Sequence, residues 1–158
     1  EYAKQWWVLQ LSNFKWTISH TTKYDVIKTI KDWIDNNLTV WELAKEIEKL
    51  NPIVFSPARA NTIAITEVWK AYEYGNYKPV EQLVNENPWI KMKKYRLTCR
   101  DARVRETHRE AENEWRVDLD YVYPSTWTTI PPWWVNCRCT MEYDFNLDEA
   151  INNLSSKQ

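Results

Sequence analysis

A single glycine, Gly75, has to serve a chain of 158 residues. Glycine adopts positive φ angles without steric cost, and most folds place it at their tight turns. This chain has to build its turns from asparagine, aspartate and proline instead, with a conformational cost wherever φ is positive. We therefore expect its helices and strands to begin and end at those residue types and at capping residues.

The first part of the chain has the spacing of amphipathic helices. Between residues 21 and 36, apolar side chains recur at steps of three and four, which predicts one helix that ends at Asn36-Asn37. Thr39 and Glu42 form a capping box, in which each side chain bonds the backbone amide of the other residue. A second helix is therefore predicted from that point to just before Pro52.

Ser56-Pro57 is a further start signal, with a serine at the N-cap and a proline at the first helical position. The apolar spacing continues as far as Gly75, which we expect to stop this third helix. Pro79 is expected to open one more short helix. Three amphipathic helices joined by short loops indicate a small helical bundle.

The chain changes character near Pro88. Two segments rich in β-formers, Trp89 to Thr98 and Trp115 to Tyr123, are predicted as strands, and Arg138 to Phe145 as a third. Glu106 to Glu114 has the pattern of a short helix. These predictions define an α+β fold, with an N-terminal small helical bundle followed by a compact C-terminal subdomain that has a short antiparallel sheet and one short helix.

We place the helical subdomain at residues 1–87, the α+β subdomain at residues 88–145, and a tail at residues 146–158. Residues 1–19 are expected to form a short helix and an irregular or extended entry, and the tail one or two helical turns. The chain does not begin with methionine, so we expect a fragment or a processed product. No apolar run approaches the roughly 20 residues that span a bilayer, and no membrane partner is predicted.

The residues best suited to chemistry gather in the second half. Cys99, Cys137 and Cys139 are the three cysteines of the chain, and His108 is one of its two histidines. Thiolate and imidazole are the ligands that zinc prefers, so Cys99, His108, Cys137 and Cys139 predict a tetrahedral zinc site. The same residues also fit two other hypotheses, reduced buried cysteines beside an ordinary polar histidine, or a disulfide. No other cofactor is indicated.

The net charge of −1 gives the whole molecule no long-range attraction for nucleic acid. Residues 91–109 differ, because eight lysines and arginines stand there against one aspartate and one glutamate. This basic segment fits contact with DNA phosphates or an acidic partner, and equally a solvated face with internal ion pairs. The candidates for nucleic-acid contact are Arg96, Arg100, Arg103, Arg105 and Arg109.

The 11 tryptophans point to partner proteins. Tryptophan is enriched where proteins meet their partners, and adjacent pairs such as Trp6-Trp7 and Trp133-Trp134 are hard to bury on both sides. A core rich in aromatic side chains is the other interpretation.

Three ordered motifs resemble the Mu F-like minor head protein family of tailed phages, over about residues 18–145. Members of that family show an Ala-Arg-x-x-x-Ile-Ala-x-Thr-Glu helix, an Asp-x-Arg-Val-Arg-x-x-His turn, and Pro-Pro followed by Asn-Cys-Arg-Cys-Thr. The corresponding segments here are Ala58-Arg59 with Ile63 to Glu67, Asp101 to His108, and Pro131-Pro132 with Asn136 to Thr140. Where relatives usually place a glycine after the short helix, this chain has Asn113-Glu114-Trp115.

The resemblance implies a structural minor protein of the phage head, associated with the portal or the capsid interior and acting in head morphogenesis or DNA packaging and delivery. Its expected partners are the portal or other head proteins, and DNA through the basic segment. The protein would be made in the cytoplasm of the bacterial host and end in the virion. The alternative is a phage-associated nuclease or toxin-like enzyme that uses His108 as general acid or base, although no complete catalytic set is visible.

The turn around Asp101 also has a purely architectural interpretation. Asp101 is expected to accept hydrogen bonds from backbone amides, and Arg103 to pair across to the Asn-Cys-Arg-Cys segment. Such bonds hold two distant segments together without metal or catalysis. The residues of this structural motif are Asp101, Arg103, Arg105, His108, Asn136 and Arg138.

Overall fold

The computed structural model describes residues 20–132 and 134–145. The predictions for residues 1–19 and for the tail at 146–158 lie outside the described residues. By their internal contacts, the described residues form two units. The first runs to Gly75 and includes Trp134–Asn136, and the second comprises the rest.

Three helices occupy the first part of the described chain: α1 (His20–Asn36), α2 (Val40–Leu50) and α3 (Pro57–Glu86). The capping box at the start of α2 is confirmed. The Thr39 hydroxyl accepts from the backbone amide of Glu42 at 3.3 Å, and the Thr39 amide donates to the Glu42 carboxylate at 2.7 Å. At the start of α3, the Ser56 hydroxyl accepts from the backbone amide of Arg59 at 3.4 Å. Both start signals therefore act as predicted.

An apolar core holds the first unit together. Apart from Phe55, which lies in the loop between α2 and α3, its buried side chains lie on the three helices, mostly at steps of three and four, which places them on one face of each. They are Val26, Ile30, Leu43, Ala44, Ile47, Phe55, Ala60, Ile63, Ala64 and Ala71. Each large aliphatic or aromatic side chain buried in this way contributes about 1.5–3 kcal/mol relative to exposure.

The prediction that Gly75 stops the third helix, with another helix opening at Pro79, is wrong. Helix α3 continues through both residues. Pro79 lacks the N–H that would bond the Gly75 carbonyl four residues earlier, so the helix loses one hydrogen bond there. Side chains on either side of this point are packed: Ala71 is buried in the first unit, and the Tyr77 ring lies 6.4 Å from that of Tyr143 in the second. Tertiary packing therefore outweighs the local stop signals.

The second unit contains β1 (Met92–Leu97), α4 (Glu106–Asn113), β2 (Val117–Asp118) and β3 (Thr140–Phe145). The strands form an antiparallel sheet in the order β2-β1-β3. In the register of this sheet, Lys94 lies opposite Val117 on one side and Tyr143 on the other. Strands β1 and β3 fall inside their predicted segments, and the α+β fold with helices first and sheet after is confirmed.

The predicted strand from Trp115 to Tyr123 is wrong beyond two residues, since only Val117–Asp118 pairs with β1. The carbonyl oxygens of Leu119 and Tyr121 accept hydrogen bonds from Nζ of Lys94 at 2.6 and 2.7 Å. The chain turns directly after β2, where the backbone amide of Tyr121 donates to the Asp118 carbonyl at 3.0 Å, and the ladder ends there.

Side-chain-bearing residues take the turn conformations that glycine would usually supply. Five described residues have φ between 52° and 59°: Asn37, Arg100, Trp115, Trp127 and Asn136. Left-handed backbone costs such a residue roughly 1–2 kcal/mol. Positive φ at residues with side chains is therefore confirmed. The expected residue types are wrong in part, because only two of the five are asparagine and the others are one arginine and two tryptophans.

Candidate functional site

His108, Cys137 and Cys139 come together inside the second unit, although 29 and 31 residues separate the histidine from the two cysteines. His108 lies on α4, and both cysteines lie in the segment that leads into β3. The Nδ1 atom of His108 is 3.4 Å from Sγ of Cys139 and 3.8 Å from Sγ of Cys137. The three ligand atoms lie within 4.8 Å of one another, and all three side chains are buried. Soft donors in this arrangement are able to hold a metal ion.

Burial keeps the His108 imidazole neutral. It lowers the pKa of His108 to about 4, and the positive charges of Arg96 and Arg105 add to the effect. The neutral ring has a lone pair on one nitrogen, which is the form that binds metals. Because the residue is only 2% exposed, the ring faces the interior of the unit.

Arg96 brings a buried positive charge to the same cluster. It lies on β1 with its side chain fully buried, and its Nη2 atom is 3.4 Å from Nδ1 of His108 and 3.7 Å from Sγ of Cys137. Burial lowers the pKa of Arg96, and the neighbouring Cys139 and Cys137 oppose that change. The guanidinium nevertheless stays charged at any ordinary pH. The hydrogen bond with Cys137, together with burial, raises the pKa of the Cys139 thiol.

Cys99 lies apart from this group. Its thiol is exposed and donates a hydrogen bond to the backbone carbonyl of Arg138 at 3.2 Å. The structure thus brings three of the four predicted ligands together and leaves Cys99 outside the group. Among the described residues, a metal site at this place has three protein ligands.

Asp101 links the loop before α4 to the cysteine segment. Its carboxylate accepts from Nη2 of Arg138 at 2.8 and 3.0 Å and from the backbone amide of Arg103 at 3.0 Å. These bonds, with that of Arg138 the strongest, lower the pKa of Asp101. Arg138 therefore makes the link that we expected from Arg103, which pairs with Asp101 inside the turn at 3.4 Å. Burial alternates along the segment, so that Cys137 and Cys139 point inward and Arg138 between them outward.

The motif residue Asn136 belongs to the first unit and contacts the Thr-Glu motif of α3. Its backbone amide donates to the Thr66 hydroxyl at 3.1 Å, and its φ is 59°. The next residue of the helix, Glu67, is fully buried, and its carboxylate lies 2.9 Å from Nζ of Lys70. Burial raises the pKa of Glu67. These residues, which the sequence analysis grouped by resemblance alone, therefore share one location.

The arginines of the basic segment are in two different settings. Arg100 and Arg109 are exposed, and each lies next to a glutamate of α4, at 3.1 and 3.7 Å. Arg105 is exposed and is the N-cap residue of α4. The guanidinium of Arg96, in contrast, is buried and does not reach solvent. Since surface ion pairs are weak, the exposed arginines remain free to exchange their internal partners for an external anion.

Sequence reasoning missed Lys94 as an internal residue. Its side chain is fully buried, its Nζ binds the carbonyls of Leu119 and Tyr121, and it lies 5.7 Å from the ring centroid of Tyr123. Burial lowers the pKa of Lys94 to about 8. Lys94 and Arg96 are two residues apart on a strand and therefore share one face. That period of two was the signal that could have identified both as internal.

Trp127 protrudes from a tight loop at Tyr123–Thr128. The backbone amide of Trp127 donates to the Tyr123 carbonyl at 2.7 Å, and the Tyr123 amide donates to the Thr128 carbonyl at 3.0 Å. The Trp127 residue has a left-handed φ of 57° and is 83% exposed. The loop therefore holds a large aromatic side chain in solvent with a strained backbone.

Comparison with known proteins gives one match. A family model described as phage Mu protein F like protein matches residues 25–142, well over half of the chain. No curated protein and no solved structure matches. Among the described helices, none has both the length and the apolar content to cross a membrane. The matched range contains the three motifs that suggested this family. The chain therefore belongs to the phage Mu protein F-like family, which relates it to bacteriophage head morphogenesis.

Proposed function

We propose that the protein is a structural component of the phage head, and that it docks through Trp127 onto the portal or another protein of the capsid interior. The proposal rests on family membership and on one observation, the setting of Trp127. Made in the host cytoplasm, the protein would be carried into the virion by this contact. Head morphogenesis and the packaging or delivery of DNA are the steps in which it would act.

Trp127 supports docking because its backbone is strained and its side chain gains almost no packing within this chain. A left-handed φ costs roughly 1–2 kcal/mol for a residue with a side chain. Because the indole is 83% exposed, its packing within the chain offsets little of this conformational cost. Strain held by a loop without an internal gain is a reason to look for function. Tryptophan is also the residue type most often found at the energetic centre of interfaces.

The test is a substitution that separates folding from docking. Asparagine accepts left-handed φ readily, so Trp127→Asn should leave the free protein at least as stable as before. An interface tryptophan of this kind contributes about 2 kcal/mol or more, so affinity for the head partner should fall roughly thirtyfold. The measurement is the amount of tagged protein in heads purified from infected cells that lack the native copy.

Trp115→Asn is the matched control. Trp115 has a left-handed φ of 53° as well, but its ring packs on Tyr95, with the centroids 5.0 Å apart. This variant should change stability and keep its place in the heads. Normal incorporation of the Trp127 variant, measured beside this control, would contradict docking through Trp127.

We also propose that the protein contacts DNA inside the head. The exposed residues Arg100, Arg103, Arg105 and Arg109 are its candidates, and phosphate contacts of this kind give no sequence preference. Binding to duplex DNA should weaken steeply with added salt, because each neutralised phosphate releases counterions. Binding that does not change with salt would remove this part of the proposal.

His108 supports the structural role rather than the enzyme alternative. A general acid or base has to reach the reacting group and titrate near the working pH. His108 is 2% exposed, and its pKa is lowered to about 4. Nuclease assays on the wild type and on His108→Asn test the alternative directly. Cleavage that disappears in a folded variant would favour it.

A further inference from the structure

We propose that His108, Cys137 and Cys139 bind one zinc ion, with a water molecule as the fourth ligand. Zinc lies about 2.0 Å from a histidine nitrogen and about 2.3 Å from a cysteine sulfur, so tetrahedral geometry separates such atoms by roughly 3.5 Å. In this structure, Nδ1 of His108 lies 3.4 Å from one sulfur and 3.8 Å from the other. Both nitrogen–sulfur separations are therefore close to those of a zinc shell, and all three ligand atoms lie within 4.8 Å of one another.

The chemistry of the donors selects the ion. Two sulfur ligands and one imidazole favour zinc over magnesium or calcium, which prefer oxygen. The same imidazole nitrogen, Nδ1, lies next to both sulfur atoms and is therefore the nitrogen that would bind the ion. All three side chains are buried, so bulk solvent does not compete with them for the ion.

Arg96 is the group that argues against a cation at this place, because its own charge is buried beside the ligands. Zinc binding to two thiols releases two protons and leaves two thiolates, so the ion and its ligands together are neutral. The guanidinium then faces anionic sulfur. Its contact with Sγ of Cys137, now 3.7 Å, can be kept, whereas its 3.4 Å approach to Nδ1 of His108 has to open for the metal. The zinc site therefore adds no net positive charge beside the buried arginine.

The site would tie α4 to the segment that enters β3. The ligands come from positions 29 and 31 residues apart, and binding free energy at such a site adds to folding free energy. Cys99 is not part of it, since its exposed thiol bonds the Arg138 carbonyl outside the group. Because Cys99 lies outside the group, the proposed site has three protein ligands and not four.

Native mass spectrometry of the full chain, produced in zinc-supplemented medium, tests the proposal. The wild type and Cys99→Ser should each carry one zinc ion per chain, which a strong chelator removes. Cys137→Ser and Cys139→Ser should carry none. Loss of zinc from Cys99→Ser would overturn the three-ligand site, because it would make Cys99 a ligand.

Cobalt binding to the chelator-treated wild type keeps the test independent of whether the cysteine variants fold. Tetrahedral cobalt(II) with two thiolate ligands should give strong visible bands and a sulfur-to-cobalt charge-transfer band, with a one-to-one endpoint. The bands should persist in Cys99→Ser. A wild-type protein that carries no zinc and gives no such bands would overturn the proposal, and would leave Arg96 as the cation of this cluster.

Discussion

Lys94 should make the protein more stable as the pH rises from 8 to 10. The side chain is fully buried on β1, and its Nζ donates to the carbonyls of Leu119 and Tyr121 at 2.6 and 2.7 Å. Burial lowers the pKa of Lys94 from its ordinary 10.5 to about 8. A neutral amine still has two N–H groups for the two carbonyls, so these contacts survive loss of the proton.

The sign follows from proton binding. Between pH 8 and 10.5, the unfolded chain keeps a proton on Lys94 that the folded chain has released, so the free energy of unfolding rises with pH. At about 1.4 kcal/mol per pH unit, the full gain is about 3 kcal/mol, of which roughly 2 kcal/mol appears by pH 10. Burial raises the pKa of Tyr123 to about 12 and that of Tyr77 as well. These tyrosines and the Cys139 thiol, whose pKa is also raised, keep protons in the folded state that the unfolded chain releases above about pH 9, and they oppose the rise from Lys94.

The assay is urea unfolding followed by tryptophan fluorescence between pH 7 and 10. Lys94→Met keeps the apolar stem but removes the titrating group, and it should remove the Lys94 contribution to stability between pH 8 and 10. Lys93→Met is the matched control. Lys93 is the preceding residue on β1, and its Nζ binds the exposed Asp118 at 2.5 Å, so this variant should keep the rise. The opposing thiol and tyrosine contributions are common to both chains, so the test is the difference in the free energy of unfolding between wild type and Lys94→Met. A difference that does not change between pH 8 and 10 would refute the reasoning.

Four further predictions concern stability, measured by chemical or thermal unfolding. Gly75→Ala should raise the free energy of unfolding by about 0.5–1 kcal/mol, because a Cβ there meets nothing within 4 Å. Pro79→Ala should raise the free energy of unfolding by a larger amount, because it restores a helical hydrogen bond. A lower free energy of unfolding in either single variant would contradict a continuous α3. Trp115→Gly should be more stable than Trp115→Ala by about 1 kcal/mol, since alanine retains the cost of left-handed φ. The opposite order would contradict a left-handed backbone at residue 115. Asp101→Asn should lower the melting temperature at neutral pH, because Arg138 lowers the pKa of Asp101. The difference from wild type should shrink once the pH falls below the ordinary pKa of an aspartate and vanish below the lowered pKa of the folded state. A difference that does not shrink in acid would exclude the ion pair as its cause.

Helix starts could be predicted because their causes are local. The capping box at Thr39 and Glu42 and the cap at Ser56 join atoms within three residues, so both partners are visible in the sequence. The end of α3 could not be predicted in this way. Gly75 and Pro79 are usual stop signals, but packing on either side of them decides the outcome.

Three of the four ligands predicted from the sequence come together in the structure, and the exclusion of the fourth, Cys99, could not be predicted. His108, Cys137 and Cys139 meet because β3 pairs with β1 in a register that the whole sheet determines. Arg96 is internal because it lies on the buried face of β1. Cys99 lies beyond the end of that strand, so the alternation of buried and exposed side chains along β1 does not determine where it points. Long-range pairing of this kind leaves no local trace in the sequence.

The left-handed tryptophans were foreseen only in general terms. One glycine in the chain implies positive φ at other residue types, but it does not say which residues take it. Trp127 takes it because the Tyr123–Thr128 loop closes on its own backbone. The most exposed tryptophan described in the structure was therefore absent from the predicted interaction residues.

The central claim, that the protein is a structural part of the phage head, is tested most directly by counting it in purified particles. Quantitative mass spectrometry of heads, washed and separated from free protein by density, gives copies of this chain per copy of the portal protein. A structural component should appear at a fixed ratio that washing does not change. Its absence from particles, with the protein recovered only from the soluble lysate, would contradict the claim.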